Sequence, residues 1–270
     1  MSSTDKVFAG SIPKLYDEYL VPMIFSVYAE DLARRIAACS PSVLLEIAAG
    51  TGAVTRAVAA ALPRGIRYVA TDLNEPMLAV AAQRQAIDDR ITWRQADGMA
   101  LPFGDAEFDV VCCQFGAMFF PDRVKAYGEV KRVLKPNGTF VFNVWDRIED
   151  NEVTAEATAA LGRMFPDDPP RFMIRTPHGY HDKAVIRSDL ERAGFGDISI
   201  ETRAEISRAP SAEYVAIALC QGTPLRSEIE ARDASKLQAA TDSVAEAIRA
   251  RHGSGPVEGK IQAIVIEARR

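Results

Sequence analysis

Between residues 43 and 145, short apolar runs alternate with helix-like segments, and this alternation constrains the fold more than any other feature of the chain. Parallel strands cannot be closed by tight turns, so a strand–helix–strand succession implies a parallel sheet with helices on its faces. VLLEI (43–47) reads as the first strand, and an Ala-rich helix over 53–62 follows, closed by Pro63 and Gly65. IRYVATD is the second strand and ends in Asp72. The helix after it runs to about Gln85, with Asn74 suited to its N-cap and Glu75 and Pro76 to its first turn. ITWRQ and FDVVCCQF are the third and fourth strands, a helix is expected over 121–134, and TFVFNVW is the fifth strand. The fifth alternates too little for a half-solvated sheet, which points to burial on both faces.

Outside this stretch the pattern loosens. Residues 12–38 read as helical with an aromatic-rich start, and a helix is expected within 146–165. PDDPPRFMIRTPHGYHD is a proline-studded loop, followed by a helix at 185–193 that ends in Gly194. A strand at 197–206, mostly helical sequence over 211–251 and a last strand at 261–268 complete the chain. With no internal repeat or low-complexity linker, the 270 residues read as one domain: a helical lid (1–40), a ligand-binding core (41–146), and additions at 147–184 and 207–258.

Charge narrows the partners. Lys and Arg number 32 against 37 Asp and Glu, and no basic run could track a phosphate backbone, so nucleic acid is not expected. The opening MSSTDKVFAGSIPKLY has no apolar leader core, and no stretch is long enough to cross a bilayer, so the reading is cytoplasmic with no integral membrane segment. Four cysteines without a C-x-x-C spacing argue against a metal site or a disulfide framework. Cys112 and Cys113, adjacent on a strand, must face opposite sides. Oligomeric state stays open, a homodimer included.

The glycine turn after the first strand, EIAAGTG, brings bare backbone to a helix N-terminus at the carboxyl edge of the sheet, where ligands bind. Glycines there also serve tight turns for steric reasons alone. Glu46, two residues before the turn, would repel a pyrophosphate and suit a ligand that carries an ammonium or sulfonium cation.

On these residues the chain resembles class I S-adenosylmethionine-dependent methyltransferases, of the small-molecule type that acts on quinones and sterols. Glu46 through Gly52 is similar to the family's acidic glycine loop, with Ala48 in place of the first glycine and Gly50, Thr51 and Gly52 following. The resemblance implies that this loop surrounds the methionine part of the cofactor. It further implies that Asp72 accepts hydrogen bonds from the ribose hydroxyls, that Leu73 and Met77 flank the adenine, and that Asp97, with Gly98 and Met99, receives the adenine amino group. FDVVCCQFGAMFF and RVLKPNGTFVF match the fourth strand with its active-site loop and the entry to the fifth, which brings in Gln114 and Phe115. The implied fold is α/β, a Rossmann-like seven-stranded mostly parallel sheet with helices on both faces and an antiparallel last strand. The implied reaction is methyl transfer to an oxygen, carbon or nitrogen of a small, partly apolar acceptor.

Such a displacement needs alignment and exclusion of water, and no nucleophile from the protein. Tyr16 and Tyr19, three apart on the N-terminal helix, could cover the cofactor or simply pack. Phe119, with Phe115, Met118 and Phe120, offers an apolar wall for substrate, and Tyr180 a second contact. His178 and His181 are the candidates for binding or deprotonating the acceptor, or are residues of a surface loop. Two other classes share many of these features: a nicotinamide-dependent oxidoreductase, and a non-catalytic module that binds the cofactor for regulation.

Overall fold

The computed structural model describes residues 3–270, with side chains from Asp5 onward. Its strands are β1 (Val43–Glu46), β2 (Arg67–Asp72), β3 (Ile91–Gln95), β4 (Phe108–Gln114), β5 (Leu134–Trp145), β6 (Asp197–Ala209) and β7 (Val257–Arg269). They form one seven-stranded sheet in the order β3-β2-β1-β4-β5-β7-β6. β1 to β5 pair in parallel, while β7 runs antiparallel between β5 and β6, as the resemblance implied. From β1 the chain builds outward to β3, then returns to the other side of β1 for β4. The strand order therefore reverses between β1 and β4, where a crevice opens at the carboxyl ends.

Helices α1 (Ile12–Leu15), α2 (Ser26–Ala38), α3 (Ala53–Ala61), α4 (Glu75–Arg84), α5 (Arg123–Val133) and α6 (Glu152–Met164) come first in chain order. They are followed by α7 (Phe172–Arg175), α8 (Lys183–Arg192), α9 (Ala212–Gln221), α10 (Leu225–Arg232) and α11 (Leu237–His252). The pleat divides β1 between two cores. Leu44 packs with Val54, Val58 and Tyr68 on one face, and Leu45 and Ile47 join Phe140, Phe142 and Tyr127 on the other. Cys112 and Cys113 separate in the same way.

Four boundaries differ from the sequence reading. The N-terminal helix is wider than α over Tyr16–Phe25, a π-helix in which the Ser26 N–H reaches back to the carbonyl of Val21. Pro22 lies inside it and has no N–H to close a regular turn. β5 begins at Leu134, five residues early, because Lys135 to Gly138 bulge out of the ladder with Asn137 at φ 64°. β6 and β7 extend as one long antiparallel ribbon, from Asp197 opposite Arg269 to Ala209 opposite Val257. The helical stretch after β6 is interrupted at Gly222-Thr223-Pro224, where proline opens α10, and again at Asp233, which caps the short turn that follows.

Candidate active site

The carboxyl edge of β1, β2 and β4 holds a cavity of about 830 Å3. At its floor the glycine turn is wound left-handed: φ is 54° at Ala48, 57° at Gly50 and 80° at Gly52. Ala48 thus occupies a conformation that costs a residue with a Cβ about 1 kcal/mol. Within the turn the Ala49 N–H donates to the Thr71 carbonyl at 2.9 Å, and the Gly50 N–H donates to Asp72 Oδ2 at 2.8 Å. Asp72 also accepts from the Asn74 N–H at 2.7 Å through Oδ1. Burial pushes the Asp72 carboxyl upward in pKa, against the hydrogen bonds from Asn74 and Gly50. Asp97 accepts from the Met99 N–H at 2.8 Å through Oδ1, and its Oδ2 has no hydrogen bond among the described residues. Ala48, Gly50, Asp72, Leu73, Met77, Asp97, Gly98, Met99, Gln114, Phe115, Phe119 and Tyr16 all line this cavity, so most of the expected set converges.

Seven expected residues lie elsewhere, His178 in a second cavity and the other six in neither cavity. Glu46 shares the face of Leu44, and its carboxylate turns under the loop to accept from Thr55 Oγ1 at 2.6 Å and Tyr68 OH at 2.5 Å. It does not line the cavity, so its charge meets no ligand directly there. Burial pushes its pKa up to about 7, partly offset by those two hydrogen bonds. Thr51 and Gly52 support the turn from behind; a Cβ on Gly52 would lie 3.1 Å from that of Ala81. Tyr19 packs against the ring of Tyr214, with centroids 4.6 Å apart, and leaves Tyr16 alone over the cavity. Tyr180 donates to Asp189 at 2.9 Å beneath the Arg123 guanidinium, so it ties α5 to α8. His181 is exposed and bonds through Nδ1 to the carbonyl of His178.

His178 points inward. It lines a second cavity of about 600 Å3, walled by Leu20, Ile24, Phe25, Trp145, Phe172 and Met173. Sequence reasoning missed most of this chamber, since its walls come from the N-terminal helix, β5, α6, α7, α9 and β7. Phe8, Tyr16, Phe115 and Phe119 line both cavities and form the partition between them. Phe115, at φ 48°, stacks on Trp145 at 3.9 Å, and Phe8 meets both Tyr16 and Phe119 edge-on at 5.9 Å. Ion pairs hold the N-terminal segment at Asp5 and Asp17. Asp5 accepts from Arg175 and Thr176 beside α7, and Asp17 pairs with Arg56 and Arg84 on α3 and α4.

A family model described as a methyltransferase domain matches residues 45–142, the segment that supplies most of the first cavity's lining. These residues thus match a methyltransferase domain, and the sheet order and the loop geometry around them agree with that match. Among curated relatives, the demethylmenaquinone methyltransferase of Clavibacter sepedonicus is 41% identical over 108 residues, covering 40% of this chain and 43% of its own length. The ubiquinone/menaquinone biosynthesis C-methyltransferase UbiE of Brucella anthropi is 28% identical over 168 residues, 57% of this chain and 64% of its own. The chain therefore spans about half the length of these relatives. A Haemonchus contortus phosphoethanolamine N-methyltransferase, solved with phosphomonomethylethanolamine and S-adenosylhomocysteine, shares the fold at a TM-score of 0.61. It is 17% identical, with all of this chain and 61% of that one covered.

Proposed function

We infer that the protein transfers a methyl group from S-adenosylmethionine to a small, partly apolar acceptor. The observation that carries this reading is the pairing of two cavities across one aromatic partition: a polar one at the glycine turn and an apolar one beyond it. The residues of the first fit the donor. Gln114 Oε1 is a buried acceptor with no hydrogen bond, an arrangement that costs stability unless a donor group fills it. Asp72 and Asp97 add two carboxylates against Lys6, the single cation in the lining among the described residues. That balance suits a nucleoside carrying positive charge. Asp72 and Asp97 would hold its hydroxyl and amino donors, Met77 and Leu73 its base, and Gln114 an N–H of its amino-acid end.

When bound, S-adenosylmethionine supplies an electrophilic methyl group on a sulfonium. The chain's part is to orient the acceptor and keep water away. Phe8, Tyr16, Phe115 and Phe119 do both at the partition, because aromatic rings exclude water while their faces attract a cation. An open chamber beside the donor cavity also supports catalysis over a purely regulatory role. The quinone precursors named for the relatives are consistent with its apolar walls. We place the protein in the cytoplasm, where its four free cysteines stay reduced. No helix among the described residues is long and apolar enough to cross a membrane.

Calorimetry with S-adenosylhomocysteine tests the donor site. Asp72→Ala is expected to weaken binding at least tenfold, the equivalent of one charge-assisted hydrogen bond of about 1.5–3 kcal/mol. Unchanged affinity would remove the assignment, and stabilisation by NADH in place of S-adenosylhomocysteine would favour an oxidoreductase.

A further inference from the structure

Among the described residues, the chamber beyond the partition has no charged side chain in its wall. Its lining among the described residues comprises eight aromatic side chains counting His178, with aliphatic, methionine and proline side chains, and only Asn151, Thr154, Thr223, His178, Tyr16 and the Trp145 indole offer side-chain N–H, O–H or oxygen and nitrogen acceptor groups. Part of that polarity is already used. Asn151 donates to the carbonyls of Asp146, Arg147 and Gln262 and accepts from the Gln262 N–H. Thr223 Oγ1 donates to the Leu219 carbonyl and accepts from the Leu225 N–H. Thr154 Oγ1, the Tyr16 hydroxyl, the Trp145 indole N–H and one nitrogen of His178 are left without a partner among the described residues, and of these only the His178 nitrogen can lack a proton of its own.

The state of that nitrogen follows from the other one. His178 Nδ1 lies 2.8 Å from the Asp146 carbonyl oxygen, which can only accept, so Nδ1 carries the proton and Nε2 offers a lone pair. Burial pushes the imidazole down to about 4, with the Asp146 contact, His181 and Glu149 as lesser influences, so the ring is neutral in the physiological range. Trp145 lies beside it, with ring centroids 6.0 Å apart.

We propose that the acceptor is recognised as an uncharged molecule through one hydroxyl group that donates to His178 Nε2, with Thr154 Oγ1 as the second polar contact. The proposal rests on the methyl-donor reading of the neighbouring cavity and adds the acceptor's charge and its point of attachment. An ionised carboxylate, phosphate or ammonium would lose its hydration in this chamber without gaining a counter-ion, a cost of several kcal/mol. When the acceptor must lose its proton, the O–H bond breaks, an Nε2–H bond forms, and the electron pair stays on the acceptor oxygen. His178 is then an imidazolium whose Nδ1–H remains on the Asp146 carbonyl.

The test uses the full chain with S-adenosylhomocysteine at saturation and four ring probes of similar size: 1-naphthol, naphthalene, 1-methoxynaphthalene and 1-naphthoate. Binding is followed by calorimetry, and the imidazole nitrogens by 15N NMR, which has only three histidines to resolve. 1-Naphthol should bind about tenfold tighter than naphthalene or its methyl ether, and at least thirtyfold tighter than 1-naphthoate. It alone should move the His178 Nε2 resonance upfield. In His178→Ala the advantage over naphthalene should vanish while S-adenosylhomocysteine affinity stays. Equal binding of naphthol and naphthoate, an unmoved Nε2 resonance, or no binding of any probe while S-adenosylhomocysteine binds would each overturn the proposal and leave the donor site standing. Failure of S-adenosylhomocysteine to bind the unaltered protein would overturn the donor reading itself, and this proposal with it. The methyl-ether and NMR arms need no variant, so a misfolded His178→Ala would not rescue the idea.

Discussion

Replacing Glu46 by Gln isolates the energetic consequence of a carboxyl group buried beneath the glycine turn. Its ordinary pKa is 4.5, and burial raises it to about 7 in the folded chain. A raised carboxyl favours folding most while it is protonated. Its contribution is fully present below pH 4.5 and is lost as pH rises through 7. The difference between those two values, at 1.36 kcal/mol per unit, corresponds to about 3 kcal/mol. Glutamine keeps an oxygen that can accept from Thr55 and Tyr68 and has no proton to lose. The free energy of unfolding of Glu46→Gln, measured in urea, should therefore gain about 3 kcal/mol on the unaltered protein between pH 4.5 and pH 8. In a chain of this size that gain is roughly 6–12 °C in melting temperature. Groups common to both proteins cancel in the difference. A difference that stays flat across this range would mean that Glu46 ionises as freely as in solvent, and the buried placement would be refuted.

His178 should give the opposite slope: with its folded value near 4 against an ordinary 6.5, the unfolded chain takes up the proton first as pH falls. Stability from this group is present above pH 6.5 and lost toward pH 4, by about 3 kcal/mol, and His178→Gln should abolish that loss in acid unfolding curves. Gly116→Ala should destabilise by about 1–3 kcal/mol, because the new Cβ would lie 2.5 Å from that of Ala48 and 2.7 Å from Cys113 Sγ. Ala48→Gly relieves the left-handed strain while adding unfolded-chain entropy, so alone it should change stability by less than about 1 kcal/mol. In the double variant it should recover part of the Gly116→Ala loss, and strict additivity in denaturant melts would show that the two side chains do not meet.

The fold was legible where it depends on local pattern. Alternating strands and helices between Val43 and Trp145 and the acidic strand ends at Asp72 and Asp97 suffice to mark the donor cavity. Glu46 was legible in identity but not in direction. Its direction follows from the two-residue period of β1, which sends Leu44 and Glu46 to one face and leaves Ile47 to line the cavity. The histidine loop shows the opposite limit. His178, Tyr180 and His181 are neighbours in sequence, yet one enters a cavity, one bonds Asp189 and one faces solvent. Those fates depend on α5, α8 and β5, more than thirty residues away for two of the three, and no local periodicity reports them. The π-helix was hidden for a related reason: Pro22 signals a disturbance, and packing decides its form.

The shared aromatic partition has a kinetic corollary. Trimming Phe8, Tyr16, Phe115 or Phe119 alters the boundary of both compartments at once, so the Michaelis constants of the two reactants should drift in concert. Changes at Asp97 or Thr154, each confined to one compartment, should shift a single constant. That contrast turns a modest panel of steady-state measurements into a map of which reactant occupies which side.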